Sequence, residues 1–161
     1  MNASMNAASE DDIRATFPDE VNAVIDRYGW SLGMVPKPLR TKDVCAHFVH
    51  RSHFNLAYCP FYCRNDEVCA DAVSQNGCAL FYVREGSLTK PLCLKAVTQT
   101  PMALMYVPDR LRDADVCEAA LKNGGADDEF IWKFVPPFVL PELERRGIVR
   151  PPFEDRDIIL F

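Results

Sequence analysis

The 161-residue chain has no apolar stretch reaching the roughly 18 residues that a membrane-spanning helix needs. Its opening, MNASMNAASEDD, lacks both the basic and the apolar region of a signal peptide. A cytoplasmic protein is expected, and an N-terminus this polar is equally compatible with injection into another cell as an effector. Positive charge is also scarce: 18 Lys and Arg stand against 23 Asp and Glu, a net charge of -5 with a pI near 5.2. That balance argues against nucleic acid or an anionic membrane as partner, and a basic protein suits it better. No Ser-His-Asp order, phosphate-binding glycine loop or HExxH is present, so neither an enzyme nor a cofactor is expected.

Cysteine is not scarce. Seven thiols, an odd number, in a chain without an export signal read as reduced side chains rather than a disulfide framework. The Asn2-Ala3-Ser4 sequon then carries no glycan. Hydrophobic residues make up 48% and charged residues 25%, the balance of one globular domain.

The chain repeats itself every 24 residues without a gap across four blocks and into a fifth. The blocks are FPDEVNAVIDRYGWSLGMVPKPLR from Phe17, TKDVCAHFVHRSHFNLAYCPFYCR from Thr41, NDEVCADAVSQNGCALFYVREGSL from Asn65, TKPLCLKAVTQTPMALMYVPDRLR from Thr89 and DADVCEAALKNGGADDEFIWKFVP from Asp113. The fifth place holds Val21, Cys45, Cys69, Cys93 and Cys117, and the sixteenth holds Leu32, Leu56, Leu80 and Leu104. Val35, Cys59, Val83 and Val107 share the nineteenth, Pro36, Pro60 and Pro108 follow directly, and Arg40, Arg64 and Arg112 close their blocks.

Each block has a physical reading. Thr41, Asn65, Thr89 and Asp113 are good N-cap residues, and the acids Asp43, Glu67 and Asp115 two places on suit a helix N-terminus. Apolar residues at the fourth, fifth, eighth and ninth places, such as Val68, Cys69, Ala72 and Val73, form one helical face. Gly29, Gly77 and Gly125 are placed to end the helix in the left-handed conformation. A shorter helical segment, ALFYV or ALMYV, then runs until proline or a charged turn breaks it. A unit this small cannot bury its own apolar face, so stacking on neighbours is expected: an all-α solenoid of about five 24-residue two-helix repeats with a cap at each end.

The pattern VCxxAVxQNGxALxYVPxxLR, clearest at Val68–Tyr82 and Leu92–Arg112, resembles tandem repeats of bacterial proteins catalogued as domain of unknown function 4116. The alternation of an α-helix with a short or 3₁₀ helix is similar to leucine-rich-repeat-variant arrays. The resemblance covers about residues 17–136 and implies a right-handed solenoid of bacterial origin, with no catalytic residues to carry over.

The stretch HFVHRSHFNLAYCPFYC, residues 47–63, holds every histidine and two thiols, which raises a metal or redox switch built on Cys59, Cys63, His47, His50 and His53. Alignment of the blocks weighs against it. Cys59 and Cys63 replace core aliphatics, whereas His47 and His50 align with the mixed residues of a solvated face and His53 with a turn. The thiol column Cys45, Cys69, Cys93 and Cys117 reads as core packing, its members about 9–10 Å apart and too far for disulfides or a shared metal. No metal ligand is therefore assigned.

GGADDEF at residues 124–130 resembles the GGDEF signature of diguanylate cyclases but is interrupted by Ala126 and lies where the fifth block slips register by four residues. Its acids read as a solvated insertion, with an interaction role as the sharper alternative. Arg40, Arg64 and Arg112 read as pairing with Asp43, Glu67 and Asp115, ahead of a ladder for anions.

Residues 1–10 are expected to be disordered, with a capping helix beginning over Glu10–Phe17, 11–139 to form the repeat domain and 140–161 a terminal cap. In that last segment LPELERRG makes a short helix begun by Pro141 and closed by Gly147, followed by an apolar tail ending Ile158-Ile159-Leu160-Phe161. The tail either folds over the last repeat or docks on a partner. The expected role is a non-enzymatic protein-binding module, an adaptor, immunity-type or effector-type protein. Its contact residues are expected at the exposed, variable places: His47, His50, Arg51, Asp71, Gln75, Lys95, Gln99, Asp127, Asp128 and Glu129. Oligomeric state is left open.

Overall fold

A computed structural model describes residues 19–29 and 31–152, and among these every regular element is helical. The expected disordered N-terminus, the capping helix before Phe17 and the Ile158–Phe161 tail lie outside the described residues. Seven α-helices follow in order: α1 Asp19–Tyr28, α2 Lys42–Arg51, α3 Asp66–Gln75, α4 Lys90–Gln99, α5 Ala114–Ala120, α6 Glu129–Trp132 and α7 Leu140–Arg145.

The N-caps fall on the expected residues. The amides of Val44, Val68 and Leu92 donate to the side chains of Thr41, Asn65 and Thr89 at 3.3, 2.9 and 3.4 Å, and Asp113 accepts from Asp115 and Val116, both at 3.1 Å. Each satisfies an amide the helix itself leaves orphaned, a contribution of about 1 kcal/mol. The buried face is also the expected one: α3 hides Val68, Cys69, Ala72 and Val73, and full burial of a valine stabilises by roughly 1.5–3 kcal/mol.

The second segment of the second, third and fourth blocks proves to be two 3₁₀ helices. Six residues run over His53–Tyr58, Gly77–Tyr82 and Pro101–Tyr106, and three more over Phe61–Cys63, Glu85–Ser87 and Asp109–Leu111. Pro60 and Pro108 do not merely stop the first; they are the caps that start the second. The α-helices pack in chain order, α1 on α2 through to α4 on α5, with α7 closing on α5, while His53–Tyr58, Gly77–Tyr82 and Pro101–Tyr106 pack on one another in the same order. Two rows result, one of α-helices and one of 3₁₀ helices, with Leu32, Leu56, Leu80 and Leu104 fully buried between them.

Helix endings differ from expectation. Gly29 takes φ +70 and closes α1 as expected, but α2, α3 and α4 end on Ser52, Asn76 and Thr100 in extended backbone. Gly77 is a glycine for another reason: a Cβ there would sit 2.2 Å from the carbonyl oxygen of Ala96, so the missing side chain lets two blocks approach. In the fifth block the left-handed residue is Gly124, φ +113, inside a π-helical turn over Leu121–Gly125 that absorbs the extra residues. Trp132 then fills the core beyond the insertion, its indole N–H donating to the Ala126 carbonyl at 2.7 Å. The cap helix α7 ends as expected, with Gly147 at φ +79 and the Ile148 amide returning to the Leu143 carbonyl at 2.9 Å.

Candidate interaction surface

The block-closing arginines turn onto main-chain carbonyls rather than onto the acids three places on. Arg64 donates through Nε to Cys59 O at 3.0 Å, through Nη2 to Ala57 O at 3.4 Å and through Nη1 to Tyr82 O of the next block at 2.6 Å. Arg40 repeats this on Val35, Gly33 and Tyr58, and Arg112 on Val107 and Phe134. Each guanidinium satisfies the carbonyls a short 3₁₀ helix leaves open and ties its block to the following one. Asp115, expected to pair with Arg112, is held instead by Lys90 at 2.6 Å and Arg146 at 2.9 Å. Arg112 pairs with Asp109 at 3.1 Å. Where the third block ends in Leu88, Arg110 of the fourth reaches back to the carbonyls of Glu85 and Leu88.

The expected contact residues divide. Gln75 and Gln99 are braces: Gln75 Nε2 donates to Val49 O at 2.9 Å and His50 O at 3.1 Å while its Oε1 accepts from the His53 amide at 2.8 Å. Gln99 does the same one block on, donating to Gln75 O at 3.0 Å and accepting from Gly77 N at 2.8 Å. Lys95 lies across to Ala70 O at 3.4 Å, and His50 Nδ1 meets Asp71 Oδ2 at 3.1 Å. Arg51 is exposed and His47 half-buried on α2; burial lowers the His47 pKa below the usual histidine value. Thus His50, Asp71 and Gln75 come together along the α2–α3 edge, and Lys95 and Gln99 on α4.

The acids at 127–129 belong to their own turn. Asp128 caps α6 by accepting from Phe130 N at 2.8 Å, Glu129 pairs with Lys133 at 3.5 Å, and Asp127 is exposed.

The thiols and histidines of the second block separate. Cys59 and Cys63 are buried, whereas His50 is exposed and half-buried His53 rests its ring 4.1 Å from that of Phe54. Cys45 joins the two thiols: Cys45 and Cys63 both donate to the Arg40 carbonyl, at 3.7 and 3.5 Å, and Cys59 to that of Asn55 at 3.5 Å. Hydrogen bonding to Cys59 and then burial push the Cys45 pKa far up, and burial pushes Cys63 to about 11. Both shifts favour the thiol over the thiolate at Cys45 and Cys63. Among the described residues no group of three or more His, Cys, Asp or Glu is arranged to hold a metal ion.

What alignment for core and caps overlooks is the eighteenth place: Met34, Tyr58, Tyr82 and Tyr106, one per block on the 3₁₀ row. The recurrence is legible in the sequence. Around it stand Phe54, Phe61, Tyr62 and Phe81, and with Tyr58 these five aromatic residues are 50–73% exposed. Gly33 makes room for Tyr58, whose ring lies where a Cβ would be 3.2 Å away, and the rings of Phe81 and Tyr106 meet at 5.4 Å. Three hollows follow one another along this row. Lys37, Tyr58, Phe61 and Tyr62 line one between the first and second blocks, and His53, Phe54, Phe81 and Tyr106 line the middle one. Glu85, Met105, Tyr106 and Asp109 line the third, between the third and fourth blocks.

No family model matches the chain, and no curated protein or solved structure matches it. Among the described residues no helix is long and apolar enough to cross a membrane.

Proposed function

We propose that this chain is a bacterial, non-enzymatic protein-binding array, a right-handed α-solenoid of five 24-residue units related to the domain of unknown function 4116 repeats. It would serve as an adaptor, immunity-type or effector-type module. One observation carries the binding reading: the exposed aromatic row of Phe54, Tyr58, Phe61, Tyr62 and Phe81 on the 3₁₀ side. Aromatic side chains expose 150–250 Å² each when free, so five at these exposures leave about 600 Å² of largely apolar surface uncovered. A patch of that size stands at the upper end of what monomeric proteins expose, where such patches commonly mark a binding site. Rigid aromatic anchors on a braced scaffold are also what hot spots are made of.

The contact residues therefore move from the polar places of the α row to the aromatic places of the 3₁₀ row. Gln75 and Gln99 drop out as contacts because they brace the array, while Arg51 and Asp127 stand exposed. A basic partner suits the net charge of -5 by long-range steering, an effect that fades with salt. The test is capture of binding proteins at low and high salt by the wild-type chain and by a Tyr58→Ser/Phe61→Ser variant. Retention by wild type, of another protein or of a tagged second copy of this chain, and loss in the variant supports the reading; equal capture by both, or none of either kind, ends it.

A further inference from the structure

Resting on the reading that the aromatic row binds protein, we propose that its occupant is a second copy of this chain, packed antiparallel about a two-fold axis through the hollow of His53, Phe54 and Phe81.

The first argument is area. With Met34 and Leu39, 69% and 41% exposed and continuing the row at its N-terminal end, the uncovered surface approaches roughly 800 Å², the amount each partner contributes to a standard stable interface. The patch is self-contained on one row of a braced scaffold, so two copies can meet with little rearrangement.

The second argument is the order of charge along the row. The hollow between the first and second blocks is lined by Lys37 and Arg40 with no acid, and Arg40 is occupied by the carbonyls of Val35, Gly33 and Tyr58. Among the described residues lining that hollow, Lys37 is thus the cation left to a partner. The hollow between the third and fourth blocks is lined by Glu85, Asp109 and Arg112, and the last two pair with each other at 3.1 Å, so Glu85 is the charge left there among its described lining residues. Arg110, nearby, turns its guanidinium onto the carbonyls of Glu85 and Leu88. The middle hollow carries no carboxylate and no lysine or arginine. A two-fold axis through the middle exchanges the two ends, setting Lys37 of each copy against Glu85 of the other, twice. A parallel arrangement would set like against like. The antiparallel contact is also closed, so it ends at a dimer rather than a fibre.

Sedimentation equilibrium of the full chain tests this. The expected mass is twice 18.2 kDa, falling to 18.2 kDa in Phe61→Ser/Phe81→Ser with the helical circular dichroism unchanged, since both side chains are exposed. Lys37→Glu alone and Glu85→Lys alone should each weaken the dimer by about tenfold, and the two together should restore it. A monomer at every concentration overturns the proposal, as does a dimer indifferent to the aromatic pair or a double charge reversal no better than the single ones. A monomer that still captures a different protein through Phe61 overturns the dimer and leaves the binding reading standing. A monomer with no aromatic-dependent capture overturns both.

Discussion

The guanidinium of Arg64 donates to the main-chain oxygen of Tyr82 at 2.6 Å across the boundary between two blocks, and Arg40 donates to Tyr58 at 2.8 Å across the boundary before it. These are two copies of one clamp. Replacing Arg64 by Met leaves three carbonyls without their donor, and an unsatisfied buried acceptor costs about 1–3 kcal/mol. Arg64→Met is expected to lower the unfolding free energy by about 3 kcal/mol in a urea titration. Arg64→Lys should recover less than half of that, because one ammonium cannot span the three oxygens.

Gly77→Ala tests the close approach between the third and fourth blocks. The added methyl would fall 2.2 Å from the Ala96 oxygen, which is backbone and cannot swing aside. A loss of about 2–3 kcal/mol is expected, the cost of overpacking. Gly86→Ala is the control: nothing lies within 4 Å of its Cβ position and its φ is not positive, so it should be neutral or stabilise by a few tenths of a kcal/mol. Thermal melts of the two variants side by side decide the matter.

Thiol reactivity should separate Cys78 from the rest. It is the half-buried one among seven free cysteines, while burial pushes Cys93 to about 11 and Cys117 to about 12. Cys78 lines the middle hollow, so in the monomeric Phe61→Ser/Phe81→Ser chain a chromogenic disulfide reagent at pH 8 is expected to titrate one thiol quickly and six only on unfolding. More than one fast thiol in the native protein would contradict the packing around Cys45, Cys59 and Cys63.

The cap helix should loosen in acid. Hydrogen bonds from Lys90 and then Arg146 hold the Asp115 carboxyl below its ordinary value, and Lys122 and then Arg146 do the same for Glu118. A carboxylate with a depressed folded pKa stabilises above its unfolded pKa and loses that contribution as pH falls through the folded one. The melting temperature should therefore drop below about pH 4, less steeply in Asp115→Asn, with the difference shrinking in high salt because these groups are exposed.

Period, caps and core were legible in the sequence because equivalent places in stacked blocks meet equivalent neighbours. Val68 and Val116 are buried for the same reason, and Asn65 and Asp113 cap for the same reason. A column of residues thus reports that its members share an environment. It does not say which environment when the side chain is long and polar at its tip. Arg64 and Gln75 sit at places that read as surface, yet their heads reach back to carbonyls that only the packed neighbour supplies. The same limit applies to the aromatic row. Tyr58, Tyr82 and Tyr106 recur visibly, but a tyrosine column fits core or surface equally well.

The sequence by itself determined the helical character of the described residues, the 24-residue period, its caps and its buried face, since these depend on local hydrogen bonding and on which side chains water rejects. Only the tertiary structure decided that the first four blocks carry two 3₁₀ helices each, that arginine and glutamine brace the array, and that the exposed aromatic surface lies on the 3₁₀ side. Those depend on where one block's backbone ends up against the next, and no single block contains that information.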